Sequence, residues 1–390
     1  MDKADKKNPF LRALAFLLTL ILVLGAVFLV ANWQKLNFDF VRRYFAYRNL
    51  ARNENGQVES FSYIGGSSSS FTQIGSDLLV CSPSGVRLYS ESGSAYVDQP
   101  SVLKNPMTSS GGSAALVYDA GGTELYVYRD RELVFSLTGE EGPTILSANL
   151  NSQGLLTVVT QTSGIRGSVT VYDATFRPQV GVNLSSRFVT DALLSPDGRT
   201  LVIATSGQTE GTYDSQLAFY RMDQLLTSSG SEPAPDAICS IGNNTILKLE
   251  WPSDTLRVLG ENALVLVSSG GTQLGSYSYG RQLLKGYSLG GDYCCLLLGR
   301  NRAGSDATLV TVDLTGQTLA SLDFNKQVLS LSSAGRYVSV LTADGLTIYT
   351  GGLEPYHVLE EPQDVRKVLQ RTDGSVTLVS GETVRLYLPD

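Results

Sequence analysis

The sequence predicts an all-β body, an eight-bladed β-propeller, preceded by one transmembrane helix. Three observations lead there. A nineteen-residue uncharged apolar run stands near the start, and a strand-like element recurs eight times at a mean spacing of about 43 residues. The last repeat also runs out of chain one strand short, while a spare strand stands before the first repeat. With 42% hydrophobic and 17% charged residues in 390, the composition is that of a globular protein.

Residues 1–12 read as a short cytoplasmic tail. Ala13 to Ala31, ALAFLLTLILVLGAVFLVA, holds no charge and a single hydroxyl, Thr19. As a helix it would span about 28 Å, against a hydrocarbon core of ~30 Å. A buried core helix would keep a polar stripe, and this run has none. A cleaved leader would have a shorter apolar region, ~7–15 residues, and an A-x-A-like site. An uncleaved anchor is the expectation. Basic residues stand on both sides of it, so the positive-inside count nearly balances. The N-terminus is expected inside and the body outside, because a long following domain translocates largely regardless of charge.

Residues 32–56 read as a basic, aromatic juxtamembrane stalk. Trp33 suits the aromatic belt, and Phe38, Val41, Tyr44 and Phe45 fall at helical spacing among Arg42, Arg43 and Arg48. This predicts an amphipathic helix on anionic headgroups, so that residues 13–50 as a whole contact lipid; a plain helical stalk is the alternative. Residues 1–55 carry nine basic against four acidic side chains, which leaves a formal −12 on the remainder of a chain totalling −7. A body that acidic repels phosphate backbones, so nucleic acid is excluded as a partner.

Residues 57–390 read as the propeller. The recurring element is a short apolar-x-apolar strand ending in Tyr or a small polar residue: at Tyr89, Tyr128, Tyr172, Tyr220, Ser268, Asp313, Tyr349 and Tyr387. Before each stands a tight turn between two apolar runs, such as LLSPDGRTLVIA, where Gly198 supplies the positive φ of the reversal. The Asp residues of these turns, Asp77, Asp254 and Asp292 among them, are read as local turn hydrogen-bond acceptors, not as ligands. The last repeat has only three strands, in residues 365–390. VESFSYI, Val58 to Ile64, is the outer strand that completes it and closes the ring. One miscounted repeat would make the number of blades seven.

With strands A to D running outward, A–B and C–D turns share one face and B–C and D–A connections the other. The closing strand starts on the A–B face, so that face is expected next to the membrane. Long B–C connections at 161–168, 206–215 and 299–307, and the D–A loop at 65–70, fall on the far face; one long C–D loop, 225–235, falls on the near side. Loops on rigid scaffolds carry function, and Arg and Tyr make good interface anchors. Arg166, Tyr213, Arg300 and Arg302 are therefore the candidate partner-binding residues, set against the plainer reading that these loops are tolerated surface insertions.

The sequence offers no catalytic, cofactor-binding or metal-ligating set. There is no G-x-S-x-G elbow, calcium loop or phosphate loop, and the single His357 sits in EPYHVLEE, read as an exposed outer strand. Cys81, Cys239, Cys294 and Cys295 have no C-x-x-C spacing. Three of them lie among apolar residues in strands, and buried free thiols are expected. Cys294 and Cys295 should point to opposite sheet faces.

The repeats, SPDGRTLVIA most of all, resemble those of WD40-like, TolB-like and quinoprotein-like propellers. With its anchor, stalk and degenerate blades the whole chain is similar to an uncharacterised family of membrane-anchored propellers from Gram-positive bacteria. The resemblance implies a fold and is nearly silent on activity. Three functions stay open: a tethered extracellular scaffold displaying its far face to a protein, peptide or cell-wall ligand; a glycan hydrolase or lyase with paired acids in the channel; and a cytoplasmic WD40-like scaffold on the inner leaflet.

Overall fold

The structure, a computed structural model, describes residues 14, 16–25, 39–66, 68–139, 142–227, 232–301 and 305–389. The chain divides into two compact units, residues 1–50 with 390, and residues 51–389. In the first, residues 16–25 are helical, and helix α1 covers Asp39–Tyr47 with Asp39 in its first turn, where a carboxylate complements the helix dipole. Among the described residues no helix is long and apolar enough to cross a membrane; the rest of the predicted span 13–31, and Trp33 and Phe38, lie outside them. Phe40, Val41, Tyr44 and Phe45 of α1 are exposed. Arg43, expected among the exposed basic residues, is buried with Tyr47 one turn later.

The second unit is eight four-stranded antiparallel sheets. Blades 1 to 7 occupy residues 70–100, 106–137, 144–184, 188–242, 246–278, 283–324 and 328–360. Blade 8 takes its three inner strands from 367–387 and its outer strand from Phe61–Ser62. The eight-blade count and the closing strand are as the repeats predicted. Second and third strands lie between two neighbouring blades, so both their faces are covered. Asp77–Ser82, Ala114–Asp119 and Cys294–Gly299 are buried at every position, which is why these segments read as continuous apolar runs. Outer strands such as Thr318–Phe324 are covered on one face and alternate.

Hydrophobic clusters join consecutive blades, one of them combining Val159, Val169 and Val171 of blade 3 with Val189, Leu201 and Ile203 of blade 4. Each such side chain withdrawn from water contributes about 1.5–3 kcal/mol. The turn carboxylates divide. Asp197 and Asp373 accept from Arg199 N and Ser375 N within their own turns, as expected. Asp77 does not: it receives Arg131 of blade 2 on both oxygens, at 2.7 and 3.1 Å, and staples blades 1 and 2 together.

The inner strands of blades 3 to 7 each carry a β-bulge at the corresponding place, leaving residues 146, 190, 247, 285 and 329 unpaired. The extra residue bends the strand and re-aims its side chain at the channel end.

Candidate binding face

The direction of the closing strand distinguishes the two faces. Gln57 lies opposite Tyr387, and Ser62 opposite Thr383. The chain therefore enters blade 8 at the end of its third strand, on the A–B face, as the sequence implied. Asn53 prepares that entrance: its Oδ1 accepts from the backbone N of Asn55 and of Gln57 and holds a tight turn. The opposite face carries the B–C and D–A connections and the candidate residues.

Blades 3 and 4 carry two of the four candidates. The Arg166 guanidinium lies 4.5 Å from the centre of the Phe188 ring, and its Nε donates to Ser185 O at 3.1 Å. Phe188 is 49% exposed, so the pair presents a cation on an open aromatic face. Tyr213, on blade 4, is 36% exposed.

The expected loop 206–215 is not a loop. Thr200–Thr209 and Thr212–Arg221 are ten-residue strands that reverse at Glu210 and Gly211, with φ of 51° and 77°. Two consecutive positive φ values are the two-residue hairpin geometry whose twist matches its strands, so the hairpin extends beyond its neighbours. Its base is fixed by Arg187, whose Nη2 donates to Asp214 Oδ1 at 2.9 Å and to Asp214 O at 2.8 Å. Burial opposes the Asp214 charge, but hydrogen bonds from Arg187 and Gln216 and the Arg187 charge outweigh it and hold the carboxyl below its ordinary range. Sequence reasoning missed Arg187, Phe188 and Asp214. The available signal was Gly207: a Cβ there would stand 3.0 Å from the Arg187 guanidinium, and a glycine inside a strand marks such a close approach.

Arg300 lies on blade 6, apart from the first pair. It lines a cavity of about 240 Å³ with Gln282, Asp306, Asp323 and Asn325, where Thr308 Oγ1 donates to Asp323 at 3.0 Å. Arg302 lies outside the described residues. The 225–235 connection begins with a helical turn, α2, Met222–Leu225. It also leaves the near side assigned to it, because Glu232 accepts from Ser185 N and Oγ at the far end of blade 3.

In the channel, Asp191 of blade 4 accepts from Ser147 Oγ at 2.8 Å, Asn149 Nδ2 at 2.7 Å and Ala192 N at 2.9 Å. Burial raises its pKa, with the Lys248 charge and these donors opposing. No group of three or more His, Cys, Asp or Glu side chains able to hold a metal occurs among the described residues. His357 is on the outer strand of blade 7 but only half-exposed, its Nδ1 3.2 Å from the Tyr387 hydroxyl of blade 8. All four cysteines are buried free thiols. Burial, with Asp119 adding, pushes Cys81 up to about 12, and burial likewise pushes Cys294 up to about 11, which suppresses thiolate chemistry. Cys294 packs between blades 5 and 6 and Cys295 between blades 6 and 7, as strand alternation required.

Solved structures place this fold among WD40-like propellers. The C-terminal WD40 domain of Sif2 is similar, with a TM-score of 0.59 and 15% identity over 87% of this chain and 100% of that one. A eukaryotic initiation factor is similar with a TM-score of 0.52 and 11% identity, over 88% and 89%. At such identities the likeness concerns the fold alone. No curated protein sequence matches the chain. One family model matches residues 49–383, which is almost the whole propeller. The chain therefore belongs to the family of unknown function DUF5711.

Proposed function

We propose that this protein is a membrane-tethered scaffold whose propeller stands outside the cell and binds a protein, peptide or cell-wall ligand on the B–C/D–A face. The reading is non-enzymatic. One observation carries it: the Arg166–Phe188 pair, the extended hairpin with Tyr213 and the Arg300 cavity all occupy the face opposite the one where the chain arrives. A cation over an exposed aromatic ring, with an exposed Tyr on the same face, is the chemistry of interface anchors. The apolar run 13–31 supplies the tether, and the basic residues after it supply attraction to anionic lipid.

Protease applied to intact protoplasts tests the location. Cleavage before lysis supports an external body; protection until lysis places the body inside and refutes that part. A photo-crosslinker at position 213 tests the face. Arg166→Ala with Arg300→Ala should abolish a specific crosslinked species, and unchanged crosslinking refutes the assignment.

A further inference from the structure

The ring closure builds a second cavity, of about 320 Å³, on the same face but between blades 7, 8 and 1. Its size is at the lower end of the ~300–1,000 Å³ of ligand pockets. Arg366 and Lys367, at the start of the inner strand of blade 8, both line it. Neither has a carboxylate within ion-pair distance among the described residues, on a body with a formal −12. Arg366 is exposed, its guanidinium carbon 3.8 Å from where a Cβ on Gly381 would stand. Lys367 is half-buried, with Nζ 5.4 Å from the centre of the Phe71 ring, and burial lowers its pKa.

Two hydroxyls complete the set. Ser69 Oγ accepts from Gly66 N at 2.8 Å, and Ser330 Oγ accepts from Val368 N at 3.1 Å. Each of these oxygens is fixed in place, and its hydrogen has no acceptor among the described residues. Thus two cations and two directed hydroxyl donors line one small cavity. A carboxylate has only two oxygens to offer, whereas a phosphoryl group has three and up to two charges.

We propose that this cavity binds a phosphoryl group, held by Arg366, Lys367, Ser69 and Ser330. The site does not depend on the partner reading above. Its ligand is a small phosphorylated compound, and the same group could be presented free or as a lipid headgroup.

Calorimetry on the full chain in nonionic detergent tests it, with inorganic phosphate, glycerol phosphate and short-chain phosphatidic acid as probes. Saturable binding of phosphate is expected. Lys367→Met and Arg366→Ala should each weaken it about tenfold or more, since each removes a charge-assisted contact. Lys367→Arg should retain binding, and Lys104→Ala, an exposed lysine elsewhere, should leave it unchanged. Phosphatidic acid binding more tightly than glycerol phosphate would support the site and assign a headgroup; the reverse order would support it and assign a free compound. Absence of saturable binding, or Lys367→Met and Arg366→Ala both within about twofold of wild type, overturns the proposal. So does an equal loss in Lys104→Ala, which would make the attraction non-specific.

Discussion

Replacing Tyr63 by alanine should cost the propeller about 3–5 kcal/mol, the range for removing a buried aromatic side chain. Tyr63 is 9% exposed and sits at the seam, where its cluster takes Leu78, Val80 and Tyr89 from blade 1 and Val379 and Val384 from blade 8. Its hydroxyl donates to Ser380 O at 3.0 Å and approaches Gly381 O at 3.2 Å. Tyr63→Phe removes only those bonds and should cost about 1 kcal/mol. Unfolding entropy of ~2.1 cal/mol/K per residue gives about 0.7 kcal/mol/K for a unit spanning residues 51–389. A loss of ~4 kcal/mol then lowers the melting midpoint by about 6 °C. Scanning calorimetry measures this directly. Tyr96→Ala is the comparison: that ring is 42% exposed and mainly faces Arg131, so about 1 kcal/mol or less should be lost. If Tyr63→Ala melts within a degree of wild type, or Tyr96→Ala falls as far, the seam does not hold the ring as argued.

Gly56→Ala should destabilise the propeller by more than ~1 kcal/mol, because φ is +72° and the new Cβ would meet Leu388 O at 2.4 Å; an unchanged urea midpoint would refute this. Asp191 carries a pH signature. Its folded pKa is raised, so its contribution to stability is full below the unfolded value, about 4, and is lost as pH climbs through the folded one. Asp191→Asn should therefore gain on wild type as pH rises to neutrality and show no advantage below about pH 4. A stability difference independent of pH in urea titrations would contradict it. Arg187→Met should leave Asp214 without its ion-pair partner, loosen the hairpin base and speed amide exchange at Tyr213 and Gln208. Exchange unaltered there would show that the hairpin holds its shape alone.

The ring was legible in the sequence because its grammar is local. Second strands such as Asp77–Ser82 and Cys294–Gly299 are near-continuous apolar runs, third strands are apolar-x-apolar, and the missing fourth strand of the last repeat could be matched to Val58–Ile64 by pattern alone. What was not legible depends on contacts between strands distant in sequence, within a blade or between blades. Arg131 reaches Asp77 and Arg187 reaches Asp214 across separations of 54 and 27 residues, with no local motif at either end. The inner-strand bulges were invisible for a different reason: inner strands such as Thr144–Leu150 and Val328–Ala334 mix polar and apolar residues without strict alternation, so one unpaired residue breaks no pattern. Gly207 and Gly211 made the fourth-blade hairpin resemble a loop, although only Gly211 turns the chain. Of the candidate residues, Arg166 and Tyr213 were found through loop length, but their platform partners Arg187 and Phe188 were not. The Arg366–Lys367 cavity escaped notice because its walls come from both ends of the chain.

The seam also decides how the molecule carries load. Strands in each blade run from face to face, and residues 57–63 run along the last of them, pairing with Glu382 to Tyr387. A pull on the chain at residue 56 is directed along that strand, so its hydrogen bonds are loaded together in shear instead of being peeled one by one. Once the Asn53 turn has opened, such a pull is borne by the link that keeps the ring shut. A force strong enough to strip that strand would open the circle between blades 8 and 1, and with it the Arg366–Lys367 cavity.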